Sequence, residues 1–202
     1  MELKLFDTYD RKVREFVPLE QNRVRMYACG PTVYEKPHVG NARALVVFDL
    51  LYRILIELYG KSKVTYVRNI TDIDDKIIDA AKNKKISIKE LTSEITKQFN
   101  SDCASLFCIN PSFEPKATEH IKEMIYMVEN LLKIKAAYKK DNHVYFSVSS
   151  FKNYGKLSNK KTEDLNIGAR VEVSDLKNNP LDFVLWKPSK QDEPGWSSPW
   201  GR

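Results

Sequence analysis

The chain's 202 residues suffice for one sizeable core, or for one domain carrying an insertion. Lys and Arg outnumber Asp and Glu by 33 to 27, and the net charge of +6 suits nucleic-acid phosphates without requiring them. Three cysteines, an N-terminus unlike a signal peptide and no long apolar run argue against a disulfide-stapled secreted scaffold and a membrane span, and for a reducing cytoplasm.

In chain order, Val24 to Cys29 reads as a short strand broken at the turn signal Gly30-Pro31. From Ala42 to Tyr59 the apolar residues Leu45, Phe48, Leu51, Tyr52, Leu55 and Leu58 recur at helical spacing, and Gly60 is placed to stop the helix. Val64 to Ile70 is a second β-rich run, so the order is that of a β-α-β unit in a parallel sheet. Asp72, Asp74 and Asp75 after Thr71 suit a helix N-terminus better than a Mg²⁺ cluster. Ser87 to Phe107 and Ala117 to Ile134 are expected as amphipathic helices, the first opened by a Ser87/Glu90 capping box. Cys103 and Cys108, five apart, share no helix face and read as packing residues. Ala137 to Val148 predicts a hairpin around Asp141-Asn142. Ser158 to Pro180, polar and lysine-rich, is expected to form the mobile edge of an inserted domain running from about Pro115 to Asn179, after which Leu181 to Trp186 returns to the sheet. Lys82 to Lys85 reads as a solvated face, Trp186, Trp196 and Trp200 as packing, and His120 and His143 receive no role.

The chemistry concentrates where the first strand's loop meets the helix, since a helix N-terminus favours phosphate. His38, Gly40 and Asn41 stand there. Gly40 would admit a nucleotide's base or ribose close to the backbone, while His38 and Asn41 would hydrogen-bond phosphate oxygens as charge develops. That set suits attack on an α-phosphate with no covalent enzyme intermediate. Taken alone, H-x-G-N fits a helix cap as well as a catalyst, Arg43 fits a phosphate contact or a carboxylate pair, and Cys29 fits a buried thiol as well as a ligand.

Three longer stretches shift that balance: CGPTVYEKPHVGNAR, then VTYVRNITDIDDKII, then LDFVLWKPSKQDEPGWSSPWG. Together they resemble, in order, the catalytic region of the cysteinyl-tRNA synthetase family of class I aminoacyl-tRNA synthetases. The resemblance implies an α/β fold: residues 1–114 as the first half of a Rossmann-like nucleotide-binding domain with a parallel sheet, 115–179 as an inserted α+β connective-peptide domain, and 180–202 as a return toward the second half. It implies an ATP-binding stretch of Pro31, Thr32, Val33, Tyr34, Glu35, Lys36, Pro37, His38, Val39, Gly40 and Asn41, the family's HIGH region, with His38 and Asn41 catalytic. It further implies a cysteine-binding group of Cys29, Gly30 and Thr71, with Cys29 as first zinc ligand. A borderline-soft metal prefers sulfur, so zinc selects thiolate over the serine hydroxyl far more strongly than a pocket sensing one methylene, worth only ~1–3 kcal/mol.

The implied partners are ATP with Mg, L-cysteine and tRNA(Cys), for a cytoplasmic monomer with no membrane. The family's remaining zinc ligands (a Cys, a His and a Glu), its KMSKS loop and its tRNA-binding helical domain are expected beyond Arg202, so the 202 residues alone are expected to be inactive and to hold zinc poorly. Lys156 to Lys160, KLSNK, resembles KMSKS but carries Asn159 at the second lysine and reads as a basic loop. A cysteine ligase of mycothiol synthesis, or a non-catalytic fragment binding nucleotide or tRNA, stays open as an alternative.

Overall fold

The computed structural model describes residues 2–159 and 176–202, which fall into two compact units. One is Val17–His120; the other joins Glu2–Phe16 to Ile121–Arg202. Among the described residues no helix is long and apolar enough to cross a membrane.

In the first unit, β3 (Val24–Ala28) pairs in parallel with β4 (Val64–Arg68), Val24 opposite Val64 and Ala28 opposite Arg68. The connection is α1 (Val39–Tyr59), which buries Leu45, Tyr52 and Leu55 and ends where the Gly60 N–H bonds the Ile56 carbonyl. Val46, Val47 and Leu50 lie exposed on the same helix. β4 has a second parallel neighbour: Ser112 N–H bonds the Tyr66 carbonyl at 2.7 Å, Arg68 N–H bonds that of Phe113 at 3.1 Å and Ile70 N–H that of Pro115 at 2.8 Å. Pro111 and Pro115 hide this stretch from a strand reading, yet proline is tolerated at a sheet edge.

α2 (Asp75–Lys84) and α3 (Ile88–Ser105) complete the unit, with Val33, Ile70, Ile77, Leu91, Ile95, Phe99 and Cys103 in one core cluster. Ser87 Oγ accepts from Glu90 N–H at 3.1 Å, the serine arm of the capping box expected from the sequence. α3 stops short of the expected Phe107, which takes a left-handed φ of 56°, so Cys108 follows the helix rather than riding on it. Burial pushes both the Cys103 and Cys108 thiols up, away from reactive thiolate.

The second unit holds the hairpin β1 (Lys4–Asp7) and β2 (Lys12–Glu15), then α4 (Ile121–Lys133), β5 (Ala137–Lys140), β6 (His143–Phe146) and β7 (Phe183–Trp186). The expected helix from Ala117 begins as a 3-10 turn over Ala117–His120 and becomes α-helical at Ile121. Asp141 and Asn142 both take left-handed φ, 48° and 60°, making the two-residue turn that matches strand twist. The expected return to the parallel sheet does not occur: β7 pairs antiparallel with β6, where Phe146 stacks on Phe183 at 5.1 Å. Buried Asp182 fixes that arrival by accepting from Tyr138 O–H, Val148 N–H and Asn179 N–H. Trp200 is buried edge-on to Trp186, as packing residues are. In the KLSNK stretch, Lys156 lies over the Tyr9 ring and Asn159 donates to the Thr8 carbonyl at 2.9 Å. Of Ser158 to Pro180, expected to edge an insertion, residues 160–175 lie outside the described residues.

Among the described residues of the first unit, Arg68 is the most deeply buried charged group. Its Nη2 and Nε meet Glu114 Oε1 at 2.7 and 3.1 Å, and its guanidinium covers the Phe99 ring at 4.9 Å. Removing the carboxylate strands the cation away from water. Glu114→Ala is therefore expected to cost about 3 kcal/mol in urea unfolding, and Arg68→Met, which removes the cation itself, distinctly less.

Candidate active site

The site begins where β3 runs out. A Cβ at Gly30 would stand 1.6 Å from the Asn69 carbonyl oxygen, so the chains leaving β3 and β4 cross at a distance only glycine permits. Beyond the crossing the ladder resumes: Thr71 N–H bonds the Pro31 carbonyl at 3.0 Å and Val33 N–H bonds the Thr71 carbonyl at 3.2 Å. Asn69 ties the two exits with its side chain, Oδ1 accepting from Gly30 N–H at 3.0 Å and Tyr27 O–H at 3.1 Å, Nδ2 donating to Thr71 Oγ1 at 3.0 Å.

The loop then delivers His38 to the head of α1. His38 Nδ1 accepts from Gly40 N–H at 3.0 Å, while Asn41 Oδ1 accepts from His38 N–H at 3.0 Å. H-x-G-N is thus a reciprocal capping box, which starts α1 at Val39, three residues before the expected Ala42. The cap also fixes the tautomer: with Nδ1 accepting, the neutral ring carries its hydrogen on Nε2. A Cβ at Gly40 would come within 2.8 Å of His38 Cε1. The glycine makes room for the histidine ring.

A cavity of about 240 Å³ opens on this loop, lined by Gly30, Pro31, Thr32, Tyr34, Glu35, Lys36, Pro37, His38 and Asn41, with Ile95 and Phe99 of α3 behind them. Tyr34 lies under the Lys76 ammonium at 5.2 Å, and hydrogen bonding to Glu35 holds its phenol above the ordinary tyrosine range. The remaining expected residues stand outside the lining. Val33 is a core residue, Val39 is 85% exposed, Gly40 sits under His38, and Cys29 and Thr71 occupy the strand exits. Ile95 and Phe99 were legible only as a helix's apolar face; Asn69 gave no signal beyond being polar at a strand end.

Two of the three expected aspartates serve the helix start, and Asp72 does not. Asp74 caps α2 by accepting from Lys76 N–H at 2.9 Å, Asp75 lies in its first turn, and buried Asp72 accepts from Thr118 N–H at 3.0 Å and Thr118 O–H at 2.6 Å. Among the described residues no three His, Cys, Asp or Glu side chains converge as a metal would need. Exposed Cys29 supplies one thiol, and one thiol does not fix a tetrahedral zinc.

A parallel β-α-β unit with a capped loop across its strand exits is the arrangement from which doubly wound α/β domains are built. The family model for the tRNA synthetases class I (C) catalytic domain matches residues 15–202, and the chain belongs to that family. Among curated relatives, the cysteine–tRNA ligase of Pelagibacter ubique (strain HTCC1062) is 56% identical over 198 residues, covering 98% of this chain and 44% of the relative. That of Maricaulis maris (strain MCS10) is 54% identical over 200 residues, covering 99% and 43%. The chain therefore spans under half the length of these relatives. Among solved structures, the agnB2 LeuRS of Agrobacterium radiobacter K84, in a ternary complex with tRNA and LeuAMS, shares the fold at a TM-score of 0.51 and 16% identity, over 63% of this chain and 17% of that one.

The crossing makes a sharp stability prediction. Gly30→Ala is expected to destabilise by about 3 kcal/mol or more, since backbone must move to admit the methyl. Gly60→Ala, at φ 88° with open space around it, should cost only about 1 kcal/mol. Urea midpoints of the two variants decide the ranking.

Proposed function

We propose that the full-length protein containing this chain activates L-cysteine with Mg·ATP and transfers the cysteinyl group to tRNA(Cys). The observation that carries the reading is the 54–56% identity of nearly the whole chain to relatives named cysteine–tRNA ligase. The capped H-x-G-N loop supplies chemistry to match. In the first step the cysteine carboxylate attacks the α-phosphorus, a Pα–O bond forms, and the bond to the departing pyrophosphate breaks. Negative charge gathers on the α-phosphoryl oxygens, where His38 Nε2–H and the Asn41 Nδ2 amide are the donors left over once the cap is made. The cap holds the ring before substrate arrives, so no reorganisation is needed at the moment of reaction.

Pro31 to Asn41 form the ATP stretch in this reading, and Cys29, Gly30 and Thr71 the cysteine group. In this reading residues 1–114 supply the first half of the catalytic domain, less the Glu2–Phe16 hairpin that joins the other unit, 115–179 are the inserted connective peptide, and 180–202 lead on from its antiparallel sheet toward the second half. Cys29 is the one zinc ligand this chain offers; the described residues do not complete a site, and no step here depends on the metal. The protein acts in the cytoplasm as a monomer. The relatives' names do not favour ligation of cysteine to an amino sugar.

ATP–pyrophosphate exchange by the full-length protein tests the reading: cysteine should drive exchange, and activation of another amino acid with cysteine inert would overturn it. His38→Ala should lower kcat by about 10²- to 10³-fold, with cysteine affinity held within about three-fold. Gly40→Ala should follow it in direction, because the added methyl displaces the His38 ring. Purified residues 1–202 should retain far less than one zinc per chain through dialysis, as elemental analysis would show.

A further inference from the structure

Asn69 holds the strand exits together in a way that fixes more than their spacing. A backbone N–H can only donate, so the amide oxygen of Asn69 must face Gly30, and its nitrogen must then face Thr71. An amide nitrogen in turn can only donate, so Thr71 Oγ1 accepts at that contact. Among the described residues Thr71 Oγ1 makes no other hydrogen bond, and its own hydrogen is left over. We propose that Asn69 is a positioning residue that donates to the Thr71 hydroxyl oxygen and so leaves the hydroxyl hydrogen free to meet an anionic acceptor of the bound amino acid.

This rests on the reading of Thr71 as part of the cysteine group. An α-ammonium has only donors, whereas the carboxylate and the thiolate of cysteine are acceptors. Asn69 thereby aims a donor at an anionic end of the zwitterion, without touching the ligand. Its neighbours in sequence serve the fold, Arg68 through Glu114 and Ile70 through the core, so Asn69 and Thr71 belong to the other row, which ends at the strand exits beside the cavity lining.

The discriminating variant is Asn69→Asp in the full-length protein. It keeps the shape and the oxygen that serves Gly30 but replaces the donor facing Thr71 by an acceptor, which draws the hydroxyl hydrogen inward. In pyrophosphate exchange the KM for cysteine should rise by roughly ten- to a hundred-fold, the worth of one hydrogen bond to a charged group, while the KM for ATP stays within about two-fold. Thr71→Val lacks the hydroxyl, and adding Asn69→Asp to it should change the cysteine KM by less than about two-fold. Cysteamine, a competitor without a carboxylate, places the acceptor: an inhibition constant untouched by Asn69→Asp assigns the donor to the carboxylate, a parallel rise to the thiolate. Equal rises in both KM values, or the full effect persisting beside Thr71→Val, would overturn the proposal and leave Asn69 a structural strut. Unmutated protein that activates cysteine while the cycle stays flat sinks this inference alone; unmutated protein inert toward cysteine sinks the functional reading and this inference with it.

Discussion

Two backbones crossing at Gly30 and Asn69 set the terms for everything around the site. Because no side chain fits between them, the exits of β3 and β4 lie near enough for one asparagine to bridge both. The same closeness lets the ladder resume between Pro31 and Thr71, which pins Val33 into the core and sends the rest of the loop toward α1. The capping box at His38 and Asn41 is the far anchor of that loop. With both ends tied, the intervening residues line a cavity instead of wandering over the surface.

Residues 64–72 show how one extended stretch serves two purposes. Val64, Tyr66, Arg68, Ile70 and Asp72 are buried, and the residues between them are half-exposed, an unbroken period of two. The buried row turns from apolar to polar without leaving its face, because Glu114 on the adjacent parallel segment and Thr118 in the 3-10 turn after it satisfy Arg68 and Asp72. The other row ends in Asn69 and Thr71. A shift of one residue would bury the site's side chains and expose the core, so the ion pair at Arg68 protects the register as well as the packing.

The β-α-β order, the cap at Ser87 and the Asp141-Asn142 turn were legible because each depends on neighbours in sequence. The cap at H-x-G-N was legible as one of two readings of that motif, while only the fold shows Gly40 yielding space to an imidazole. What escaped depended on distant partners. The parallel edge at 112–117 is masked by its prolines, Asn69 gains meaning only from Gly30 thirty-nine positions away, and β7 joins β6 because Asp182 finds Tyr138 and Val148. The β1–β2 hairpin turns through a left-handed Arg11, where no glycine or asparagine advertised it.

The division of the chain carries a consequence for biosynthesis. One unit is continuous from Val17 to His120, so its strands, crossover helix and core are all available once that stretch has left the ribosome. The other unites Glu2–Phe16 with Ile121–Arg202, and its contact between Asn159 and Thr8 closes a loop of 151 residues. During translation the N-terminal hairpin must wait for partners made much later, with the continuous unit already compact between them. The capped loop before α1 is thus assembled early in synthesis, and the unit that draws on both ends of the chain is the late step.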